Sequence, residues 1–394
     1  MLKLSTVAAG TVAISGVAGC ASFTGGGNAG TGASNSTSTL PKRKLGALEV
    51  SGIGMGAMNT VAGYYGPGIE RADAIKLIRA AYDQGVRFFD TAQVYGPFLS
   101  EDYLGEAASP FRNDVVISTK FGFNLEGGDR GGIDSSRQVI IRSVEASLKR
   151  LRTDHIDLFY QHRVDPKVPI EEVADTVQDL IKQGKVKHFG LSQAGEATIR
   201  RAHKVQAVTA IQNEYSFWTR DPEIEVLAVC EELGIGFVPW SPLGMGYLTG
   251  KSFSPIEQLD QKTDLRAIAK FPRWTKEAIE ANRPLVELLA RVGDRRGATP
   301  GQTALAWLIH KRPFIVPIPG TRKIAHMKEN VAAINVKLTD SDMQELESGF
   351  KKIGVVGKNA PPALLEAHDI GSFLESSSKG TYGLSPLPKI RKAI

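Results

Sequence analysis

Hydrophobic residues follow two alternating spacings along the chain from about residue 42 onward. Short runs rich in β-branched and aromatic residues end in polar residues, which predicts strands. Between these runs, apolar residues recur every three or four positions, as in Ile140, Val144, Leu148 and Leu151, which predicts amphipathic helices. The eight strand-like runs occupy residues 50–56, 86–90, 115–120, 156–162, 186–192, 207–213, 235–241 and 314–320.

Eight strands separated by helices predict parallel pairing with right-handed crossovers. A closed (β/α)8 TIM barrel, an α/β fold, fits this number of strands over about 300 residues. A doubly wound open sheet is the alternative, but the first strand carries only part of its dinucleotide fingerprint. Gly52, Gly54 and Gly56 lack the third spaced glycine, the helix start and the later acidic residue of that motif. Close packing at a barrel strand explains these glycines better.

Polar residues stand at the ends of successive predicted strands. Each of them alone is more simply explained as a capping or solvated loop residue. In a barrel, however, residues at the C-terminal ends of the strands converge on one mouth, so a series at equivalent positions indicates an active site. The series consists of Asp90, Lys120, His162, Ser192, Gln212 with Asn213, and Ser241.

Tyr95 lies just beyond the second predicted strand, in the segment FFDTAQVYG. A phenol with a pKa near 10 is a poor proton donor at neutral pH, and a nearby ammonium group lowers that pKa. We expect Lys120 to lower the pKa of Tyr95 and Asp90 to balance the charge of Lys120. Tyr95 would protonate an oxygen that becomes an alkoxide, and His162 would hydrogen-bond to the same oxygen. A general acid of this kind, without a metal motif or a nucleophile, predicts hydride addition from a cofactor.

The segment Gly320-Thr321-Arg322 follows the last predicted strand and leads into a helix. Backbone N–H groups at the start of a helix attract anions. Arg322 and Lys323 therefore suit a 2′-phosphate, although a solvated helix face explains Lys323 equally well.

Composition and charge exclude several classes of protein. The 394 residues are 42% hydrophobic and 23% charged, which are values of a globular protein. The net charge of +6 is spread among acidic residues, so we expect no nucleic-acid groove, while a small anionic ligand is permitted. Cys20 and Cys230 are the two cysteines, and no zinc-type spacing occurs in the sequence. We expect no bound metal, and we interpret Cys230 as a packed hydrophobic residue.

The first forty residues have the pattern of an export signal followed by a tether. Lys3 precedes an apolar run, and Val17-Ala18-Gly19-Cys20 resembles a bacterial lipobox, which predicts lipidation of Cys20. Residues 21–40 are rich in Gly, Ser, Thr and Asn and carry no charge, so we expect them to be flexible. These features predict a location in the bacterial cell envelope or periplasm, with membrane contact only through Cys20. An ordinary signal peptide and a cytoplasmic protein are the alternatives.

The predicted domain organisation follows from these patterns. We expect an export signal at residues 1–19, a tether at 20–41, the barrel at 42–350 and a C-terminal extension at 351–394. The extension is a candidate cover for the barrel mouth.

Several segments resemble the aldo-keto reductase family. The similar region runs from about Lys42 to about Phe350 and includes KRKLGALEVSGIGMG, FFDTAQVYG, STKFG, LFYQHRVD, GLSQA, QNEYS, PWSPLGMGYLTGK and IPGTRKIAHMKEN. Members of that family are NADP(H)-dependent carbonyl reductases built on a (β/α)8 barrel, and the resemblance implies the same fold and activity here. The family's catalytic residues correspond to Asp90, Tyr95, Lys120 and His162.

The resemblance also implies a set of NADP(H) contacts. The nicotinamide amide would be held by Ser192, Gln212 and, at a position where many relatives carry Asn or Glu, Gln193. Its ring would stack on Tyr215 or Trp240, of which the resemblance favours Tyr215. The phosphates and adenine would contact Gly320, Thr321, Arg322, Glu329 and Asn330, with Arg266 as a further phosphate contact. The remaining expected contacts are Gly56 and Met58 after the first strand and Ser241, Leu243, Gly244 and Lys251 in a loop over the pyrophosphate.

The function expected from these observations is NADPH-dependent reduction of an aldehyde or ketone to an alcohol. The alternative is an NADP(H)-binding regulatory or redox-sensing subunit with little turnover. Apart from a small carbonyl substrate, no partner is indicated by the sequence.

Overall fold

The structure is a computed structural model that describes residues 39–125 and 132–369. The predicted signal, the lipidation site Cys20 and nearly all of the tether lie outside the described residues, as does the end of the C-terminal extension. In the described part, no helix is long and apolar enough to cross a membrane. The same part holds no group of three or more His, Cys, Asp or Glu side chains arranged to bind a metal.

A short antiparallel hairpin, formed by β1 (Lys42–Leu45) and β2 (Leu48–Ser51), closes the N-terminal end of the barrel. Leu45 of the hairpin is fully buried in the barrel interior. Gly236 makes this packing possible, because a Cβ atom there would lie 2.4 Å from the Leu45 Cα atom. The predicted first strand, residues 50–56, is therefore two elements: the end of the hairpin and the start of the barrel.

Seven parallel strands pair in chain order to form the barrel wall. They are β3 (Met55–Gly56), β4 (Phe88–Asp90), β5 (Val116–Phe121), β6 (Ile156–Gln161), β7 (Val186–Ser192), β8 (Val208–Gln212) and β9 (Gly236–Phe237).

Residues 314–320 close the barrel without forming a regular strand. On one side, the Val316 N–H donates to the Phe237 carbonyl at 2.9 Å; on the other, the Gly54 N–H donates to the Pro317 carbonyl at 2.9 Å. Pro317 and Pro319 have no N–H group to donate, which explains why the ladder is irregular here. The segment still pairs with both neighbours, so the prediction of a (β/α)8 barrel is confirmed.

Helices cover the outside of the barrel and connect its strands. Capping residues mark the starts of several helices. Thr299, for example, caps the helix that starts at Pro300: its side chain accepts a bond from the Gln302 N–H, and the Gln302 side chain accepts one from the Thr299 N–H. The helices are α1 (Arg71–Asp83), α2 (Leu99–Ala108), α3 (Arg137–Leu151), α4 (Ile170–Lys182), α5 (Glu196–Val205), α6 (Val226–Leu233), α7 (Leu265–Ile268), α8 (Lys276–Asp294), α9 (Pro300–Lys311), α10 (Ile324–Ala332), α11 (Asp340–Ile353) and α12 (Pro362–Leu365).

Three hydrophobic clusters fill the molecule. The largest lies between the strands and the surrounding helices and includes Cys230, which is fully buried as expected. The second, here named the interior cluster, fills the barrel and consists of Leu45, Val50, Phe88, Leu158, Tyr160, Ala210, Val238, Val316 and Ile318. The third, the mouth cluster, lies at the C-terminal end of the strands and consists of Val61, Tyr64, Ala92, Val94 and Tyr95.

Truncation of Leu45 tests how much the hairpin stabilises the barrel. We expect Leu45→Ala to lower the free energy of unfolding by about 2–5 kcal/mol, because it leaves a cavity in the interior cluster. The exposed neighbour provides the control, and Lys44→Ala should change stability by no more than about 0.5 kcal/mol. Urea unfolding of both variants gives the comparison; equal stabilities would show that the hairpin does not seal the core.

Candidate active site

A buried ion pair lies at the C-terminal ends of β4 and β5. Lys120 Nζ donates a hydrogen bond to Asp90 Oδ1 at 2.6 Å, and both side chains are almost completely buried. The second oxygen of Asp90 accepts bonds from Ser118 Oγ at 2.7 Å and from Gln212 Nε2 at 2.8 Å. Lys120 also donates to the Thr91 carbonyl at 2.8 Å. Both charges are thus well satisfied, as burial requires.

Tyr95 and His162 lie next to this ion pair. The Tyr95 and His162 rings are perpendicular, with centroids 5.8 Å apart, and Lys120 Nζ lies 5.2 Å from the centre of the Tyr95 ring. Tyr64 packs edge-on against Tyr95 from the other side. The structure therefore brings together the four residues that the sequence singled out as a catalytic group.

The pKa of Tyr95 is not lowered overall, contrary to the expectation from the sequence. The pKa of Tyr95 is raised well above its ordinary value, chiefly by burial and then by the negative charge of Asp90. Burial lowers the pKa of Lys120, although Asp90 opposes that effect. The charge that acts to lower the pKa of Tyr95 comes from Arg163. Tyr95 consequently keeps its proton at neutral pH.

Three residues predicted to bind the nicotinamide amide lie at or just after the ends of β7 and β8. Ser192 is buried at the end of β7, and Gln212 at the end of β8 donates its amide N–H to Asp90. The Gln193 side chain is already used within the protein: Nε2 donates to His368 Nδ1 at 2.9 Å, and Oε1 accepts from the Glu214 backbone N–H at 2.9 Å. Gln193 therefore connects two loops in this structure, and its contact with the nicotinamide amide stays a prediction.

The preference for Tyr215 as the stacking aromatic is also wrong. Tyr215 is fully buried outside the barrel, against Phe237 and Trp307, and its hydroxyl donates to Glu223 Oε1 at 2.6 Å. Trp240 is partly exposed and packs against the interior cluster. Its buried indole N–H has no acceptor among the described residues. Of Tyr215 and Trp240, only Trp240 therefore lies at the barrel interior and its mouth.

The expected phosphate site contains an unpaired cation. Arg322 is partly exposed and makes no hydrogen bond or ion pair with the described residues; the backbone of Gly66 lies close to its guanidinium group. The adjoining helix α10 begins without a side-chain cap and without an acidic residue in its first turn. Thr321 and Asn330 are buried beside it. This arrangement suits an anion, since helix N-termini and free guanidinium groups both attract phosphate.

Gly56 and Gly320 lie side by side where β3 meets the closing segment. A Cβ atom on Gly320 would lie 2.4 Å from Asn59 Oδ1 and 3.0 Å from the Gly56 carbonyl oxygen, so a larger residue would force the Asn59 side chain to move. Met58, one turn further, is partly exposed and packs against the mouth cluster.

The loop after β9 reaches over to α10. Lys251 Nζ lies 3.4 Å from Glu329 Oε2, and the other Glu329 oxygen accepts a bond from Thr299 Oγ1 at 2.8 Å. Ser241 begins the loop with a left-handed backbone, φ 47°, and Leu243 is buried behind it. Gly244 packs under Trp218, where a Cβ atom would lie 2.4 Å from the indole nitrogen.

Arg266, expected as a phosphate contact, is paired within the protein. It is 7% exposed and forms a two-pronged ion pair with Asp264, with hydrogen bonds of 2.9 and 2.6 Å. It also donates to the Met245 carbonyl at 3.2 Å and lies over the Trp274 ring. With its charge balanced by Asp264, Arg266 holds the loop in place in this structure, and its contact with a phosphate stays a prediction.

The described part of the C-terminal extension lies against the ends of β7 and β8. The Asp369 N–H donates to the Gln193 carbonyl at 2.9 Å, and Asn359 Nδ2 donates to Glu214 Oε2 at 2.8 Å. Thr219 Oγ1 donates to the other Glu214 oxygen at 3.2 Å. Burial raises the pKa of Glu214 from 4.5 to about 7. Sequence reasoning overlooked Glu214, although it directly follows the polar end of a predicted strand.

Comparisons with known proteins agree with this geometry. The model of the "Aldo/keto reductase family" matches residues 52–349. A relative from Glycine max, "Probable aldo-keto reductase 1", is 42% identical over 306 residues, covering 77% of this chain and 87% of the relative. The chain belongs to the aldo-keto reductase family, so the resemblance inferred from the sequence motifs is confirmed.

Solved structures show the same fold. The glycerol dehydrogenase AKR11B4 from Gluconobacter oxydans is 26% identical, with a TM-score of 0.70, covering 82% of this chain and 97% of that structure. The thermostable aldo-keto reductase Tm1743, in complex with the inhibitor epalrestat, is 26% identical with a TM-score of 0.62; the match covers 79% of this chain and 100% of that structure. The family generally uses NAD(P)H and reduces carbonyl groups.

The raised pKa of Glu214 predicts a pH-dependent stability. In the unfolded chain this carboxyl has a pKa of about 4.5, whereas in the folded protein it is about 7. Its contribution to stability is therefore fully present below the lower value and is lost as the pH rises through the higher one. We expect Glu214→Gln to gain stability relative to the wild type between about pH 5 and about pH 8.

Urea unfolding across this pH range measures the effect. The exposed Glu49 provides the control, because Lys42 lowers the pKa of its carboxyl and moves its titration below the range. Glu49→Gln should therefore differ from the wild type by a constant amount. A constant difference for Glu214→Gln as well would contradict the prediction.

Proposed function

We propose that the protein is an NADPH-dependent reductase that converts an aldehyde or ketone into an alcohol, with Tyr95 as the proton donor. The buried Lys120–Asp90 ion pair against the Tyr95 ring is the observation that carries the proposal. A protein that only sensed the cofactor would have no need of a buried proton-donating group of this kind, so the arrangement favours turnover over a regulatory role.

The residues at the other end of the mouth fit NADPH. Arg322 is a free guanidinium group beside the uncapped start of α10, and it would hold the 2′-phosphate that distinguishes NADPH from NADH. Lys251 and Glu329 would keep the loop after β9 over the pyrophosphate. Ser192 and Trp240 would hold the amide and the ring face of the nicotinamide. The bound cofactor supplies the hydride.

The side chains around the carbonyl oxygen would divide the remaining work. Tyr95 is protonated at neutral pH, so the phenol can hydrogen-bond to the carbonyl oxygen and donate its proton as the oxygen becomes negative. His162 would hydrogen-bond to the same oxygen and orient it. Lys120 would stabilise the phenolate left on Tyr95, with Asp90 fixing its position.

Replacing Tyr95 tests the proton donor. Tyr95→Phe keeps the ring and removes the hydroxyl, so we expect kcat with a reducible aldehyde to fall by about 10² or more, because general acid catalysis is lost. NADPH affinity, measured by fluorescence titration, should change little. Tyr82→Phe, which removes a hydroxyl that bonds to Asp114 on the outer surface, is the control. Wild-type turnover by Tyr95→Phe would refute the assignment.

Replacing Arg322 tests cofactor choice. A charge-assisted bond of this kind contributes roughly 1.5–3 kcal/mol, so Arg322→Ala should weaken NADPH binding by about ten- to hundredfold. NADH lacks the 2′-phosphate, and its affinity should stay nearly the same. Lys328→Ala removes an exposed charge from the same helix and serves as the control. Equal losses for the two cofactors would show that Arg322 does not contact the 2′-phosphate.

A further inference from the structure

Arg163 directly follows His162 at the end of β6, and its guanidinium group lies at the barrel mouth. Nη1 donates to the His162 carbonyl at 2.6 Å and lies 3.4 Å from Ser192 Oγ at the end of β7. The side chain is partly buried. Its positive charge acts to lower the pKa of Tyr95, Lys120 and His368.

Among the described residues, no carboxylate oxygen lies within 4.0 Å of a nitrogen of the Arg163 guanidinium group. The charge of Glu214 acts from a longer distance to raise the pKa of Arg163. Both Glu214 carboxylate oxygens, however, already accept hydrogen bonds from Thr219 and Asn359. Burial lowers the pKa of Arg163 from 12.5 to about 10, so it remains charged at neutral pH.

The other charged groups at the mouth do not balance this cation. Lys120 and Asp90 neutralise each other, and burial together with the charge of Arg163 keeps His368 neutral by lowering its pKa. Nearby Tyr95 is a neutral phenol at neutral pH. An unpaired, partly buried guanidinium group is costly, and such groups commonly persist where they bind an anion.

We propose that Arg163 binds a carboxylate of the substrate, so that the preferred substrates are aldehydes or ketones that also carry a carboxylate group. Nη1 donates to the His162 carbonyl and to Ser192 Oγ, while Nε and Nη2 have no acceptor among the described residues and can make a two-pronged contact with a carboxylate. This inference rests on the proposed carbonyl reduction and names its substrate class.

Two aldehydes of nearly equal size separate charge from shape. We would compare 4-carboxybenzaldehyde with the neutral methyl 4-formylbenzoate, using NADPH and the full-length protein. The quantity measured is the ratio of kcat/KM for the acid to kcat/KM for the ester, since any effect of Arg163 on Tyr95 acts on both substrates. The wild type should favour the acid.

Arg163→Gln should lower that ratio by about ten- to hundredfold, mainly through KM for the acid. Arg163→Lys keeps the positive charge, so its acid-to-ester ratio should lie between those of Arg163→Gln and the wild type. The control is Arg79→Gln, because Arg79 donates only to backbone carbonyls on α2. An unchanged ratio in Arg163→Gln would overturn the proposal. A matching loss of NADPH affinity with an unchanged ratio would instead place Arg163 on the cofactor.

Binding of benzoate provides a readout that needs no turnover. Calorimetry with the protein and NADP+ should show benzoate binding more tightly than benzamide in the wild type, and about equally in Arg163→Gln. If neither aldehyde is reduced but benzoate still binds through Arg163, the proposed reduction fails and the anion site stands. If benzoate and benzamide bind the wild type equally, the anion site is refuted.

Discussion

The ion pair between Lys120 and Asp90 constrains the whole arrangement at the mouth. Two charges removed from water are stable only when every remaining donor and acceptor is satisfied. Here the partners come from three strands, β4, β5 and β8, which lie on different parts of the barrel wall. Gln212 reaches Asp90 from across the interior. Asp90 and Lys120 lie on neighbouring strands, but the bond from Gln212 can form only if the sheet curves until β8 faces β4.

The barrel closes through residues 314–320, which pair with both neighbouring strands without forming a regular strand. The segment with Pro317 and Pro319 pairs on both sides although each proline removes a donor from the ladder. Glycines at 56 and 320 let it approach β3. At the other end, Leu45 of the hairpin fills the interior from below. The polar mouth thus rests on an apolar interior that is packed from the N-terminal end.

The period of the hydrophobic pattern was enough to predict the barrel and the grouping of Asp90, Lys120, His162 and Tyr95, because parallel strands end at the same edge. The pattern could not predict on which side of the barrel wall a side chain lies, or which residues it contacts. Tyr215 and Trp240 both follow strands, and only the three-dimensional path decides that one faces the helices and the other the interior. Arg266 finds its partner in the neighbouring Asp264, a pairing that no motif indicates. The raised pKa of Tyr95 results from burial, which is a property of the folded molecule.

The C-terminal segment has a consequence for how substrate choice can change over evolution. Asn359, His368 and Asp369 lie along one edge of the mouth, where they contact Glu214, Gln193 and the Gly195 N–H. Substitutions in this stretch alter the rim of the pocket without touching the strands or the Lys120–Asp90 pair. Substrate choice can therefore change by substitution in this stretch while the catalytic group stays the same.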